Sequence, residues 1–261
     1  MNFDWTFFVD RLFSPTPLYV QALWVTLYVA VIAQLLGIAI GAVVAAGRLS
    51  GNRFLTTLAF IFTWVVQGIP VIVFMVLLYT GIAAAGIYRF EDISIGSFTL
   101  RANIQAAIVA LGIREGAYMA EIIRNGVQAV ERGQIDAARA LGMPWWNVLR
   151  RVVMPQALRV IIPPLGNNFN IMLKTTSLAS VIGVQELFLV TRSISAATFK
   201  AFEMFSIVAL NYLLLTTLWA IIQVFIEMRL GRHNLDDSDL PWWKRVGQFL
   251  SGSGQTSPGA A

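Results

Sequence analysis

Five long apolar segments most strongly limit what this chain can fold into. They cover about 18–47, 54–87, 101–123, 158–183 and 205–229, and each has the roughly 20 mainly apolar residues that a helix needs to cross a bilayer. In lipid every backbone N–H and C=O must be hydrogen-bonded within the protein, so these segments must be helical. The first two exceed one straight span, and Pro70 predicts a kink in the second. We therefore expect an all-α, polytopic integral membrane protein with about five transmembrane helices.

Composition agrees with a membrane protein and removes several kinds of chemistry. Of the 261 residues, 57% are hydrophobic and 13% are charged, whereas soluble domains are about 25% charged. The chain has no cysteine, which excludes disulfides, thiolate metal sites and cysteine nucleophiles. The single histidine, His233, follows the last apolar segment, and a metal role there would require further ligands. The sequence therefore predicts no metal site.

The distribution of Lys and Arg predicts the orientation, because these residues accumulate on the cytoplasmic side of membrane proteins. With the five spans above, twelve of the 19 basic residues fall on one side and five on the other, while Arg114 and Lys174 fall within spans. We expect an N-terminus outside the cell and a cytoplasmic C-terminus. The expected parts are an extracytoplasmic segment at 1–17, a transmembrane domain at 18–232 with a cytoplasmic loop at about 124–157, and a cytoplasmic tail at 233–261, whose end has the composition of a disordered segment. The net charge of +5 follows from this topology and requires no nucleic acid.

A polar stretch at 133–155, GQIDAARALGMPWWNVLRRVVMP, separates the third and fourth apolar segments. Its alanines favour a short helix, Gly142 is typical of a left-handed helix end, and Pro144 fits the first turn of a second helix. Five apolar residues then recur at the spacing of one helix face: Trp145, Val148, Leu149, Val152 and Val153. Pro155 should end this helix or bend it sharply. The stretch is either an amphipathic connector on the inner membrane surface or a rigid elbow that binds a cytoplasmic partner, and its spacing does not separate the two.

The same stretch resembles the signature of permease subunits of ATP-binding-cassette importers. That signature is Glu-Ala-Ala, three residues, Gly, nine residues and Ile-x-Leu-Pro. This chain has Asp136, Ala137 and Ala138, then Gly142 at the required distance, and ends with Val152, Met154 and Pro155. Asp, Val and Met replace Glu, Ile and Leu, so each position stays acidic or apolar. The segments 114–134, 155–187 and 198–202 are similar to the polar amino-acid branch of these permeases (the histidine, glutamine, glutamate and arginine type), and the resemblance covers about 18–232.

The resemblance implies a set of partners in a bacterial inner (plasma) membrane. The residues expected to couple to a separate ATP-binding-cassette ATPase dimer are Asp136, Ala137, Ala138, Leu141, Gly142 and Pro155. A second permease subunit, identical or homologous, would complete the pathway, and an extracytoplasmic amino-acid-binding protein would deliver the substrate. No cofactor is expected in this chain, since ATP and Mg would be bound by the ATPase. The nearest imitation of a phosphate-binding loop, GAVVAAGRLS at 41–50, has wrongly spaced glycines and Arg in place of Lys, so the chain is not expected to be an enzyme.

Polar residues within the fourth apolar segment form a second candidate site. Lys174 is the clearest, because an ionisable group near the bilayer centre costs about 2.5–3.5 kcal/mol and therefore usually faces a cavity or a bundle interior. Asn167, Asn170, Lys174 and Ser177 share one helix face, Asn168 and Thr175 lie beside it, and Thr176 could bond the backbone or a ligand. Our hypothesis is that these residues line the substrate pathway, with Lys174 or the hydroxyls near an amino acid's carboxylate. The alternative is that they only join neighbouring helices through hydrogen bonds.

Arg114 and Glu115 are the other charged residues within a predicted span. Neighbouring residues on a helix point about 100° apart, so the two do not face each other. They are candidates for a gate or a subunit interface, and structural ion pairs with other helices or with the second subunit are the favoured role. Two glycine pairs, 37 with 41 and 112 with 116, have the spacing of closely packed helices.

These observations predict the transmembrane permease subunit of an ATP-driven importer for a polar amino acid, working by alternating access. One alternative is an ion-coupled secondary transporter that uses Lys174, Arg114 and Glu115. It predicts internal repeats or paired broken helices in corresponding halves of the chain. We detect no repeat in the sequence, and this alternative gives the polar stretch at 133–155 no role. Another alternative is a membrane scaffold whose elbow binds a cytoplasmic protein, which leaves Lys174 unexplained except as packing.

Overall fold

The computed structural model describes residues 3–96 and 98–229. Within these residues the chain is almost entirely helical, with one short pair of strands. The all-α prediction is therefore confirmed for this part of the chain. The predicted tail at 233–261, including His233, lies outside the described residues.

The chain begins with a short helix, α1 (Trp5–Phe13), and a long one, α2 (Pro17–Leu49). The Asp4 side chain caps α1 by accepting a hydrogen bond from the backbone N–H of Phe7 at 3.0 Å. Thr16 caps α2, and Pro17 occupies its first turn, where the missing N–H costs nothing. The two caps explain why the chain turns between these helices rather than continuing as one.

The second apolar segment is broken rather than gently kinked. Helix α3 (Arg53–Gly68) is followed after Pro70 by α4 (Val71–Val76), which continues through a π-helical turn, Leu77–Gly81, into α5 (Ile82–Ala84). The two parts meet at 104°. Proline lacks an N–H donor and disfavours helical geometry at the residue before it. The predicted position of the bend is therefore confirmed.

Two short antiparallel strands, β1 (Ile93–Ile95) and β2 (Phe98–Leu100), lie in the loop before α6 (Ala102–Gln128). An Asp92 carboxylate oxygen accepts a hydrogen bond from the backbone N–H of Ala102 at 2.7 Å, and Gln105 donates to the backbone carbonyl of Leu100 at 2.9 Å. These bonds fix the loop to the first turn of α6.

The polar stretch forms two helices, as predicted, but the second does not end at Pro155. After α7 (Arg132–Ala140), helix α8 (Trp145–Val148) runs through a π-helical turn, Leu149–Val153, directly into α9 (Met154–Thr175). The expected break is wrong because Pro155 lies in the first turn of α9, just after a turn whose wider hydrogen bonding tolerates the missing N–H. Helix α9 then tightens into a 3₁₀ turn at Thr176–Ile182.

Two more helices complete the described chain, α10 (Leu187–Thr198) and α11 (Ala201–Arg229). Helix α10 lies where the sequence had suggested only a connection between the fourth and fifth spans. Lys200 Nζ lies 2.9 Å from Asp4 Oδ2, and the backbone N–H of Asp4 donates to Glu203 Oε1 at 2.8 Å. These contacts fasten the start of α1 to the start of α11. Phe7, Phe8 and Leu12 pack on the apolar cluster formed by α2, α10 and α11.

Helices α2 and α6 form the centre of the fold through interlocking glycines. A Cβ atom added at Gly37 would lie 2.6 Å from Glu115 Cβ, and one at Gly112 would lie 2.6 Å from a Leu36 methyl group. A Cβ at Gly41 would lie 2.9 Å from a backbone nitrogen of α6 and closer still to Met119 Cβ. The predicted close packing is therefore confirmed, since no larger residue fits without separating the helices.

Length and composition identify between two and four candidate membrane spans among the described residues, depending on whether each bent helix pair is one span. Helices α2 and α11 are each long and apolar enough to cross a membrane, and two bent pairs, α3 with α4–α5 and 145–182 with α10, raise the number to four. Helix α6 has 27 residues and would extend about 40 Å, but it carries Arg114, Glu115, Glu121 and Arg124 and is too polar to meet the same measure. The count of about five stays a prediction.

Candidate functional site

The polar stretch forms a sharp elbow at Gly142. This glycine has a φ of +75°, so the predicted left-handed helix end is confirmed. The N–H of Gly142 donates to Arg139 O at 2.9 Å, and the N–H of Met143 donates to Ala138 O at 3.2 Å. This pair of bonds is the Schellman arrangement, which satisfies the last carbonyls of α7 and reverses the chain. A Cβ at Gly142 would have no atom within 4 Å, so glycine is required here by backbone conformation and not by space.

One side of the elbow is anchored and the other is open. Ala138, Val148 and Val153 are buried in an apolar cluster with the start of α9. Leu141 is 83% exposed, Trp146 66% and Trp145 56%. Trp145 was predicted to share one apolar helix face with Val148 and Val153, but it does not join them in the buried cluster. The guanidinium carbon of Arg139 lies 5.8 Å from the Trp145 ring centroid instead.

The residues predicted to contact an ATPase divide along the same line. Asp136, Ala137, Leu141, Gly142 and Pro155 are exposed, whereas Ala138 is buried within the chain. Ala138 therefore positions α7 against α9 and is not itself available to a partner. The elbow thus exposes large apolar side chains beside a turn of fixed conformation, an arrangement that suits either the membrane surface or a cytoplasmic partner.

The polar residues of α9 do not all face the same surroundings. Lys174 and Asn167 are exposed, and Asn168, Asn170, Thr175 and Ser177 are partly exposed, but Thr176 is buried. The three hydroxyls donate to backbone carbonyls of their own helix: Thr175 to Ile171 at 2.8 Å, Thr176 to Leu173 at 2.8 Å and Ser177 to Lys174 at 2.7 Å. In this conformation, therefore, Lys174 and Asn168 are freer to meet a ligand than the hydroxyl groups.

Part of the predicted polar face of α9 joins this helix to α11, as the alternative interpretation proposed. Asn170 Nδ2 donates to Thr216 O at 3.5 Å, and Gln223 Nε2 donates to Asn167 Oδ1 at 3.4 Å. The indole N–H of Trp219 adds a shorter bond of 2.8 Å to the carbonyl of Gly166. Lys174 does not contribute to these contacts between α9 and α11. Its ammonium has no hydrogen bond or ion pair within the described residues.

Arg114 and Glu115 point in different directions, as their spacing predicts. Glu115 is 2% exposed and packs on Gly37, and its Oε1 has no hydrogen-bond partner in the described part of the chain. Arg114 is partly exposed, and its guanidinium carbon lies 4.7 Å from the Tyr118 ring centroid. Neither residue forms an ion pair with another helix within the described ranges. The ion-pair role favoured from the sequence therefore has no support within a single chain.

Sequence reasoning missed two buried or partly buried polar clusters. Glu121 of α6 binds Arg48 of α2 at 3.2 Å and Arg124 at 3.0 Å. Opposite charges at the ends of the first and third apolar segments could have suggested the pair of Arg48 with Glu121. Glu186, 1% exposed, caps α10 by accepting from two backbone N–H groups and also accepts from the Tyr212 hydroxyl at 3.1 Å. A glutamate just before an apolar run is too weak a signal to have revealed the contact with α11.

Similarity to known proteins extends over most of the chain. Residues 37–232 match the family described as binding-protein-dependent transport system inner membrane component. The chain is 35% identical over 230 residues to the glutamine transport system permease protein GlnP of Escherichia coli strain K12, covering 88% of this chain and 99% of that protein. It is also 35% identical over 207 residues to the arginine transport system permease protein ArgU of Corynebacterium glutamicum, covering 77% of this chain and 65% of that protein.

A solved structure has the same fold. The crystal structure of an amino acid ABC transporter with histidines superposes with a TM-score of 0.74 at 33% identity, and the match covers 88% of this chain and all of that one.

Proposed function

The chain belongs to the family of binding-protein-dependent transport system inner membrane components, and we propose that it forms half of the membrane pathway of an importer for a polar amino acid. Its relatives are amino-acid permease subunits of ATP-binding-cassette transporters. Permeases of this family are not the ATPase, which is a separate subunit. The chain accordingly acts by binding and by changing conformation, with no covalent step of its own.

The observation that carries this proposal is the exposed ammonium of Lys174. Helix α9 and its 3₁₀ turn run from Met154 to Ile182, so Lys174 lies well inside the span. An ammonium facing hydrocarbon there would cost about 2.5–3.5 kcal/mol. A second permease subunit, identical or homologous, would cover this face of α9 and enclose a polar pathway. An amino acid's carboxylate entering that pathway would supply the missing counter-ion.

The elbow supplies a contact for the ATPase. Asp136, Ala137, Leu141 and Gly142 are open on one side, while the buried face of α7 and α8 fixes the elbow to α9. Because α8 continues without a break into α9, a displacement of the elbow would be passed to the helix that carries Lys174. ATP and Mg would be bound by the ATPase dimer. This arrangement requires the elbow, and therefore the C-terminus, on the cytoplasmic side and the N-terminus outside.

The pathway would receive its substrate from an extracytoplasmic amino-acid-binding protein. Alternating access then follows if ATP binding and substrate binding favour different states of the permease pair. Arg114 would face either the pathway or the second subunit, since its side chain is partly exposed and unpaired within the described residues. Glu115 would not contact the pathway, because its side chain is buried between α2 and α6.

The test is uptake by proteoliposomes that contain the permease pair, its ATPase and its binding protein. We expect uptake of a polar amino acid that requires ATP and the binding protein, and Lys174→Met should abolish uptake without loss of assembly. The matched control is Arg192→Met, which removes an exposed cation from α10 and should leave uptake near wild type. Uptake driven by an ion gradient without ATP would contradict the proposal, as would full activity in Lys174→Met.

A further inference from the structure

We propose that the pathway discriminates against amino acids with a cationic side chain. Two cations would do so, Arg114 and Lys174, which lie at nearly the same depth and have no ion-pair partner within residues 3–96 and 98–229. This inference rests on the proposed function. It adds a substrate class: amino acids whose side chain is neutral or acidic.

The depth of the two residues follows from the contacts between α6 and α9. Asn103, near the start of α6, donates to the carbonyl of Ile182 at 3.5 Å, and Gly126, near its end, packs against Ile161. The two helices are therefore antiparallel. Counting eight residues from Asn103 and eight back from Ile182 places Lys174 opposite position 111. Arg114 is three residues further along α6, which is about 5 Å along the axis.

Neither cation is neutralised within the described chain. The ion pairs there join Arg11 with Asp10, Arg48 and Arg124 with Glu121, and Lys200 with Asp4. Arg114 stacks on Tyr118, and a ring face weakens the guanidinium charge far less than a carboxylate would. Lys174 has no partner in the same residues, as described above.

The acidic residues near this depth do not face the open side of the helices. Glu115 is buried in the α2–α6 joint against Gly37. Glu186 is buried, and both of its oxygens accept bonds from the first turn of α10. Glu121 is held by two arginines. Among the residues that the structure describes, a cationic substrate side chain would therefore meet positive charge and no available carboxylate at this depth.

The same arrangement suits a neutral or acidic amino acid. The α-carboxylate would pair with Lys174, and the amide oxygen of the partly exposed Asn168 would accept a hydrogen bond from the α-ammonium. A side-chain carboxylate could pair with Arg114. Two like charges about 6 Å apart at an effective dielectric constant near 20 correspond to roughly 100-fold in affinity. Water in the pathway would reduce this, and we expect at least a tenfold disadvantage for lysine and arginine.

The experiment measures binding to the purified permease–ATPase complex without the binding protein, so that the specificity of the binding protein does not enter. The probes are radiolabelled glutamate, glutamine, lysine and arginine. We expect glutamate and glutamine to bind at least tenfold more tightly than the two basic amino acids. Arg114→Gln should reduce this ratio, and Arg192→Gln on α10 should leave it unchanged. Thr175→Asp, which adds a carboxylate beside Lys174, should improve lysine and arginine binding.

Tighter binding of lysine or arginine than of glutamine would overturn the inference, and so would an unchanged ratio in both Arg114→Gln and Thr175→Asp. Absence of binding by all four probes would also count against it, because the site requires the permease itself to hold substrate. These outcomes are distinct from failure of the proposed function. ATP-dependent uptake by the complete transporter in which arginine is preferred to glutamine, together with tighter binding of arginine by the permease–ATPase complex, would refute the charge selection and leave the importer in place.

Discussion

The left-handed glycine of the elbow gives the sharpest test of the structure. Gly142 has a φ of +75° and no atom within 4 Å of where a Cβ would lie. Substitution there changes only the preference of the backbone, without a clash and without loss of a contact. Any effect of Gly142→Val on the turn of the isolated permease must therefore come from backbone strain, which hydrogen exchange reports without the ATPase.

The size of that strain can be stated. A left-handed conformation costs a non-glycine residue about 1–2 kcal/mol, and a β-branched residue is a genuine outlier there. A value of about 2 kcal/mol corresponds to a roughly 30-fold smaller population of the intact turn. Asparagine tolerates this conformation better than other non-glycine residues, so Gly142→Asn should retain most of the population. Gly133→Val is the matched control, since this residue lies in α7 without a positive φ and its added Cβ would have only one atom, 3.8 Å away, within 4 Å.

Two measurements read the effect. Hydrogen exchange reports the turn directly, because the N–H groups of Gly142 and Met143 are the donors that close it. Their exchange should accelerate strongly in Gly142→Val, weakly in Gly142→Asn and little in Gly133→Val. In proteoliposomes the amino acid transported per ATP hydrolysed should fall in the same order, while the complex still assembles. Equal exchange and equal coupling in Gly142→Val and Gly142→Asn would refute the reasoning.

Two further predictions concern stability. Gly41→Ala should lower the thermal unfolding temperature of the purified permease, because the added Cβ would meet the backbone of α6. Gly47→Ala in the same helix should raise that temperature, because its Cβ would lie 3.5 Å from the nearest side-chain atom and alanine favours the helix by about 1 kcal/mol. A rise in both variants would show that α2 and α6 are not in close contact. The Phe7 backbone N–H and then Lys200 hold the pKa of Asp4 below its ordinary value of 3.8, so the contact between α1 and α11 should persist at neutral pH and be lost only as the pH falls through that lowered value. Spin labels on cysteines introduced into α1 and α11 of this cysteine-free chain should report separation at pH 7 in Asp4→Asn but not in the unsubstituted protein, and separation of the latter between pH 5 and 7 would contradict the assignment.

The conformational preferences of single residues were enough to predict two sharp changes in chain direction. Pro70 marked the 104° break because proline lacks a donor, and Gly142 marked the elbow because only glycine adopts a left-handed turn at no cost. The same local reasoning was wrong at Pro155. There the chain has a second solution, a π-helical turn directly before the proline, whose selection depends on how Val148 and Val153 pack against α9.

Site residues were predictable as a set but not one by one. Helical spacing placed Asn167, Asn170 and Lys174 on one face, and this is how α9 presents them. It could not reveal that Asn170 bonds a carbonyl of α11 while Lys174 has no partner in the described chain. That difference depends on how α11 crosses α9.

The amino-acid sequence alone determined that the protein is helical and membrane-embedded, because apolar runs of this length must satisfy their backbone hydrogen bonds internally. It also located the break at Pro70 and the elbow at Gly142. Only the tertiary structure decided which charges are buried, paired or open. Glu115, Glu121 and Lys174 are all ionisable residues in or beside apolar segments, yet one lies in a glycine-lined joint, one holds two arginines and one is exposed. The energy of a charge depends on its neighbours in space, and those neighbours come from helices that are distant in the sequence.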